Sequence, residues 1–141
     1  MVALEDLYIL DVVEFTAHLY RMGNSTWPGF TEDRARIDLV IRRVGAIDVV
    51  VANGNGFSAF SHVTPIMRRP GKKVWRIKRG ARLPDGIVLV KDMQPNHEGH
   101  FMLAPQRDMP LKKYLGLLEE LGMDRLSVEL VSTQEIQNAR R

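Results

Sequence analysis

Turn-forming residues cut this chain into short segments, and their spacing is the tightest constraint on its fold. Gly23-Asn24, Pro28-Gly29, Asn53-Gly54-Asn55-Gly56, Pro84-Asp85-Gly86 and Gln94-Pro95-Asn96-His97-Glu98-Gly99 all carry residues that reverse a backbone. Between them, residues 14–21, 47–52, 74–78, 87–90, 100–104 and 126–131 are rich in β-branched, aromatic or alternating apolar residues and are expected as strands. Residues 47–52 are apolar enough to be expected as a buried strand, while residues 4–10 have mixed periodicity and suit a helix or a strand.

Two stretches carry helix signals. Thr31 is a good N-cap, Glu32 and Asp33 suit the positive end of the dipole, and Ile37, Val40, Ile41 and Val44 share a face that Gly45 would close. Pro110 fits the first helical position of a second helix, with Leu111, Tyr114, Leu115 and Leu118 as its apolar face and Gly122 at its end. Residues 134–141 are expected to fray. Mostly strands with two helices is an α+β pattern, not the strict alternation of a doubly wound sheet.

The chain has 141 residues, 45% hydrophobic and 26% charged, which suits a single packed domain over residues 1–141 and excludes intrinsic disorder. It has no cysteine, so disulfides, thiolate metal sites and a thiol nucleophile are all ruled out. No apolar run reaches the ~20 residues needed to span a bilayer. The opening MVALEDLYILD carries acids where an export signal needs Lys or Arg.

Net charge is only +3, but its distribution is uneven. Arg68, Arg69, Lys72, Lys73, Arg76, Lys78, Arg79 and Arg82 are followed by no acid until Asp85. Such a segment attracts an anion, whether phosphate, nucleic acid or an acidic protein. Alternation places Trp75 opposite these cations, toward the core, which weakens a base-stacking reading.

Gly54-x-Gly56-x-x-Ala59 follows an apolar strand and matches the dinucleotide fingerprint as a pattern. That fingerprint needs a helix N-terminus at the pyrophosphate and an acid ~20 residues on; here a poor helix former and a basic stretch follow. His97 and His100 flank Glu98, and in an extended chain Glu98 and His100 share a face. A metal site there would need a further ligand from elsewhere, so none is expected. The bland alternative is a polar loop entering a strand; the sharper one is a catalytic pair. Arg21 ends an apolar strand beside a glycine loop, where a guanidinium can grip phosphate or simply face solvent. Ser58 lies between Phe57 and Phe60, suited to a flat-ring pocket or to the core.

In order along the chain, Leu19-Tyr20-Arg21, Gly56-Phe57-Ser58-Ala59-Phe60, Trp75 to Pro84-Asp85, and His100-Phe101-Met102-Leu103-Ala104-Pro105 running through Met109 into a helix resemble one family. It is the small cytotoxic type VI secretion effector family with an ADP-ribosyltransferase-like fold. The similarity covers roughly residues 16–121 and is poor between Arg21 and Gly56. It implies one compact domain, a split and mostly antiparallel sheet with flanking helices, and an NAD cleft. By position it implies that Arg21, beside Tyr20, holds NAD ribose or phosphate, that Ser58 orders the pocket floor, and that Phe57 or Phe60 stacks on nicotinamide. Gly56 and Glu98 fall at the same cleft. His100 takes the catalytic position where most transferases carry Glu, leaving Glu98 as the nearby carboxylate. The resemblance also implies action in the cytoplasm of a target bacterial cell and a cognate immunity protein that neutralises the toxin.

A neutral His100 accepts a hydrogen bond from ribose, whereas a protonated one opposes the positive charge that grows there, so activity is expected to fall on acidification. Two other readings stay open. One is an RNA-directed toxin using His97 or His100 with the basic segment. The other is a non-enzymatic basic module that binds nucleic acid or protein. The basic segment of residues 68–82 could equally receive an acceptor for ADP-ribose.

Overall fold

A seven-stranded antiparallel sheet organises the computed structural model of the protein, which describes residues 7–10, 15 and 17–139. Its strands are β1 (Leu7–Leu10), β2 (Leu19–Gly23), β5 (Phe57–Phe60), β6 (Lys73–Ile77), β7 (Ile87–Asp92), β8 (His100–Pro105) and β10 (Val128–Leu130), in the order β1-β7-β8-β5-β2-β6-β10. A second sheet pairs β3 (Ile41–Val44), β4 (Ile47–Val50) and β9 (Met109–Pro110). The helices are α1 (Glu32–Asp38), α2 (Leu111–Met123) and α3 (Thr133–Asn138). The α+β expectation holds, in one compact body with mostly antiparallel sheets.

α2 forms as its periodicity predicts, laying Leu111, Tyr114, Leu118 and Leu121 on one face of the large sheet. Pro110 precedes the first helical residue instead of occupying it. Gly122 lies inside the helix and not past its end, and its lack of a side chain admits the Trp27 ring, which a Cβ would meet at 2.8 Å. The opposite face is covered by α3 and the short turn Ile66–Arg68, with Val63, Met67, Val74, Val131 and Ile136 as a second core.

Four expectations are corrected. The helix begun by Thr31 stops at Asp38, and Ile41, Arg42, Arg43 and Val44 form a strand returning through Gly45 and Ala46 to β4. Gly45 takes φ +60°, so the residue that resembles a helix C′ is instead the turn of a hairpin. Ile37 is accordingly 71% exposed, not a core residue. β4 is buried only at Val50, because the small sheet stands out from the body. The strand expected from residue 14 begins at Leu19; Phe15 is buried ahead of it, bridged by backbone hydrogen bonds to Gly80 and Ala81, and residues 14 and 16 lie outside the described residues. Residues 133–138 do not fray: Ser132 caps α3 by accepting from Glu135 N–H, and Ile136 is buried. Of residues 4–10, the last four are a strand and the rest lie outside the described residues.

The strand within the basic stretch is not an edge. β6 lies inside the sheet, between β2 and β10, so both of its edges are paired. Trp75 packs against the main core as alternation predicts, and its indole N–H donates to Asn24 O at 2.8 Å.

Candidate active site

The sheet splits at its centre. β2 and β5 are joined through the single register pair Tyr20–Phe60, whereas β2 pairs with β6 over five residues and β5 with β8 over four. Past that pair the strands diverge, and the side chain of Arg21 bridges the gap. Its Nε donates to Pro28 O at 2.6 Å, its Nη1 to Ser58 O at 2.6 Å and its Nη2 to Gly29 O at 3.2 Å. The guanidinium also lies 4.8 Å from the Phe30 ring centre and 5.1 Å from that of Phe57. Burial, partly opposed by attraction to Asp38, pushes Arg21 down to about 10, so it remains a cation at neutral pH. Its hydrogen-bond partners are neutral carbonyls, and this unneutralised charge lines a cavity of about 470 Å³ shared with Arg34, Asp38, Ser58 and Phe60.

Strand alternation sorts the remaining candidates. Phe57 is fully buried between Phe30 and Tyr114, so of the two proposed stacking rings only Phe60 lines a cavity. Gly56 is accounted for by packing: a Cβ there would fall 2.1 Å from Leu103 O. Tyr114, whose ionisation burial pushes well above the usual phenol range, fixes that region by accepting from Phe57 N–H and donating to Leu103 O at 2.6 Å. Tyr20 points to the opposite face from Arg21, packs in the second core and lies under the Arg76 guanidinium.

Ser58, Phe60 and His100 come together on that same face. His100 stacks on Phe60 at 5.0 Å between ring centres, and its Nε2 is 2.9 Å from Ser58 Oγ. Its Nδ1 is 2.8 Å from Oδ2 of Asp92, a residue the sequence had not singled out. Asp92 ends β7, and the turn of residues 93–99 folds it back against His100. Its side chain is wholly inaccessible. Burial, the largest influence, raises its carboxyl, but the Gln94 N–H at 2.9 Å and the imidazoles of His97 and His100 outweigh it and hold the group below the ordinary carboxylate range.

Glu98 is exposed in the turn before β8 and does not share a strand face with His100. Both residues line a cavity of about 890 Å³, with Phe60, His62 and His97. The carboxylate that touches His100 is thus Asp92, eight residues earlier, and not the neighbouring Glu98. Only the observed β7–β8 register, continued past the Lys91–Phe101 pair, brings residue 92 opposite residue 100.

The two cavities share Phe60 and meet at the split, with a buried cation on one side and a Ser–His–Asp chain on the other. A split antiparallel sheet of this kind, with α+β architecture, is that of an ADP-ribosyltransferase-like domain. The Tse2 ADP-ribosyltransferase toxin family model matches residues 17–126, and the chain belongs to that family. The match includes Arg21, Ser58, Asp92 and His100. No curated protein matches the chain.

Proposed function

We propose that this toxin transfers ADP-ribose from NAD to an acceptor, and that Ser58, His100 and Asp92 form its reacting centre. The observation that carries this reading is the hydrogen-bonded chain Ser58 Oγ–His100–Asp92 at the cavity shared with Phe60. Asp92 is held as a carboxylate and accepts only, so His100 Nδ1 bears the proton and its Nε2 accepts from the Ser58 hydroxyl. Ser58 Oγ is then left as an acceptor for a ribose hydroxyl.

NAD supplies a glycosidic bond whose cleavage releases nicotinamide and leaves positive charge on ribose. That charge needs an anion or a polarised acceptor nearby. Where most transferases place Glu, Asp92 supplies the negative charge one imidazole removed. His100 conveys it through Nδ1 on Asp92 and Nε2 on Ser58. Phe60 offers a flat apolar wall to nicotinamide, and Arg21 brings positive charge to the adjoining cavity for phosphate, Arg34 there being paired with Asp38. Glu98, at the rim, is placed to meet a ribose hydroxyl. Gly56 and Phe57 act from behind and Tyr20 from beside Phe60, holding β2 and β5 on either side of the split.

The basic segment gives less support to an RNA-directed toxin. Arg76 pairs with Glu129 and Glu135, Lys78 pairs with Glu129, and Arg68 donates to Ala139 O. Arg69, Lys72, Lys73, Arg79 and Arg82 are exposed, and they suit docking of an acidic acceptor, protein or nucleic acid. Delivery by a type VI system into the cytoplasm of a competing bacterium, and protection of the producer by an immunity protein over the cleft, complete the reading.

The test is nicotinamide release from NAD, with NAD binding measured by calorimetry, for the wild type and His100→Ala. Saturable binding with release that His100→Ala lowers by a hundredfold or more supports the reading. Neither binding nor release at millimolar NAD would refute it.

A further inference from the structure

The transferase reading uses one imidazole on Asp92, but the structure places two there. Oδ2 of Asp92 lies 2.7 Å from His97 Nδ1 and 2.8 Å from His100 Nδ1. The ligand atoms of all three residues lie within 4.8 Å of one another. We propose that Asp92, His97 and His100 form a binding site for a divalent transition-metal ion of the zinc type.

The donor set is two imidazole nitrogens and one carboxylate oxygen. It is a set that zinc and its neighbours in the first transition series accept, and that magnesium and calcium, which want oxygen, do not favour. The buried carboxylate is paired only with imidazoles among the described residues. Without a metal, both rings must turn an N–H toward a single oxygen. With one, both present lone pairs and the ion neutralises the carboxylate. The supporting contacts of a metal site are in place as well. Gln94 N–H holds Asp92 Oδ1, and Ser58 Oγ holds the far nitrogen of His100.

Geometry allows the change. Around an ion with bonds of ~2.0–2.1 Å, tetrahedral ligand atoms stand about 3.3 Å apart, so the present contacts must open by about half an ångström. Asp92 is fixed in β7 and His100 in β8, but His97 sits in the turn between them with its side chain 45% exposed. His97 can therefore move to admit the ion. The cavity of about 890 Å³ borders both imidazoles and leaves room for water at the remaining coordination positions.

The site bears on the transferase chemistry, and this half of the inference rests on the proposed function. A metal on His100 Nδ1 forces the ring proton onto Nε2, which then donates to Ser58 Oγ. Ser58 Oγ then commits one of its two lone pairs to His100 and turns its own hydrogen outward, which weakens it as an acceptor for ribose, and the ion cancels the charge of Asp92. Metal binding thus silences the centre.

The experiment titrates zinc chloride into the full chain by calorimetry at pH 7.5, with cobalt(II) as a spectroscopic probe of coordination. The expected result is one-to-one binding at micromolar affinity or tighter, weakened at least tenfold in both His97→Ala and His97→Gln. Each variant's own nicotinamide release without metal is the reference against which its response to zinc is read. Zinc should inhibit the wild type and spare the variants. Absence of one-to-one binding at millimolar zinc, or equal binding by the wild type and both variants, overturns the site. Stoichiometric binding that leaves nicotinamide release unchanged overturns the coupling to His100. Because calorimetry reads binding directly, a chain with no activity on NAD would refute the transferase reading and still test the metal site.

Discussion

Replacing Asp92 by Asn tests whether a buried charge acts on the reaction through His100. The carboxylate is one imidazole and two hydrogen bonds, of 2.8 and 2.9 Å, away from Ser58 Oγ. At an effective dielectric constant of ~20, a unit charge roughly 10 Å from the developing positive charge contributes about 1.7 kcal/mol, or about fifteenfold in rate. Asn removes that charge and can also turn its NH2 toward His100, which selects the wrong tautomer. The loss of kcat/KM for nicotinamide release is therefore expected to be fifteenfold or more. The substitution also weakens charge-assisted hydrogen bonds to two imidazoles and one N–H, so ~2 kcal/mol of stability and roughly 6–10 °C in Tm are expected to go. Assays should be run well below the Tm of the variant. The stability difference has a defined pH dependence. The folded carboxyl titrates below its unfolded value, so its contribution is complete above about pH 4–5 and is lost as pH falls through the folded pKa. Wild-type and Asn curves should converge as pH falls below the folded pKa of Asp92. A kcat/KM within threefold of wild type, in a protein shown to be folded, would refute the relay.

Three substitutions test the structural corrections. Ile37→Lys should change stability by less than about 0.5 kcal/mol, because the side chain is 71% exposed; a loss above ~2 kcal/mol in chemical denaturation would restore the amphipathic helix instead. Gly56→Ala should cost about 2 kcal/mol or more and slow nicotinamide release, since the new methyl meets Leu103 O in a strand that positions Ser58; an unchanged Tm would show that β5 and β8 separate freely. Ile136→Ala should cost about 2–4 kcal/mol, measured by urea denaturation, whereas a frayed C-terminal segment would show almost none.

The segments whose pattern and packing agree are the ones legible in the sequence. Leu111, Tyr114 and Leu118 recur at helical spacing and all three are buried, so periodicity and tertiary structure give the same answer. Residues 37–44 show how the same signal misleads. Ile37, Val40, Ile41 and Val44 fit a helical face, yet all four are β-branched and suit a strand equally well, and Gly45 serves a hairpin turn as well as a helix end. Local pattern cannot decide between them, because residues 41–44 pair with β4 and β4 is itself held by β9, about sixty residues further along the chain. Residues 132–138 fail for the opposite reason. A six-residue helix is too short to be stable alone, and it forms here because Ile136 joins Val63, Met67 and Val131 in a second core.

The site was half legible for a related reason. Ser58, Phe60 and His100 were found as residue types within the resembling motifs, and β5–β8 pairing brings them together. Arg21 was found too, but its location had no sequence signal. A strand-end arginine with an apolar neighbour on either side reads as a surface cation, whereas here it fills the split and ties three carbonyls together. Burial without a carboxylate partner is costly for a guanidinium, and such a charge persists where aromatic faces and oriented carbonyls share it. The charge balance at the centre follows from the same geometry. With Glu absent from the strand that bears His100, the nearest acid along the chain is Glu98, but a strand end and its turn bring Asp92 closer in space. A carboxylate in contact with ribose would act directly and be open to solvent. One held behind an imidazole is dry and fixed, and its effect depends on a single proton staying on Nδ1. Under the proposed transfer, that makes the centre weaker as a charge donor but controllable, since anything that moves that proton, acid or a metal ion, changes the hydrogen bond that Ser58 offers the sugar.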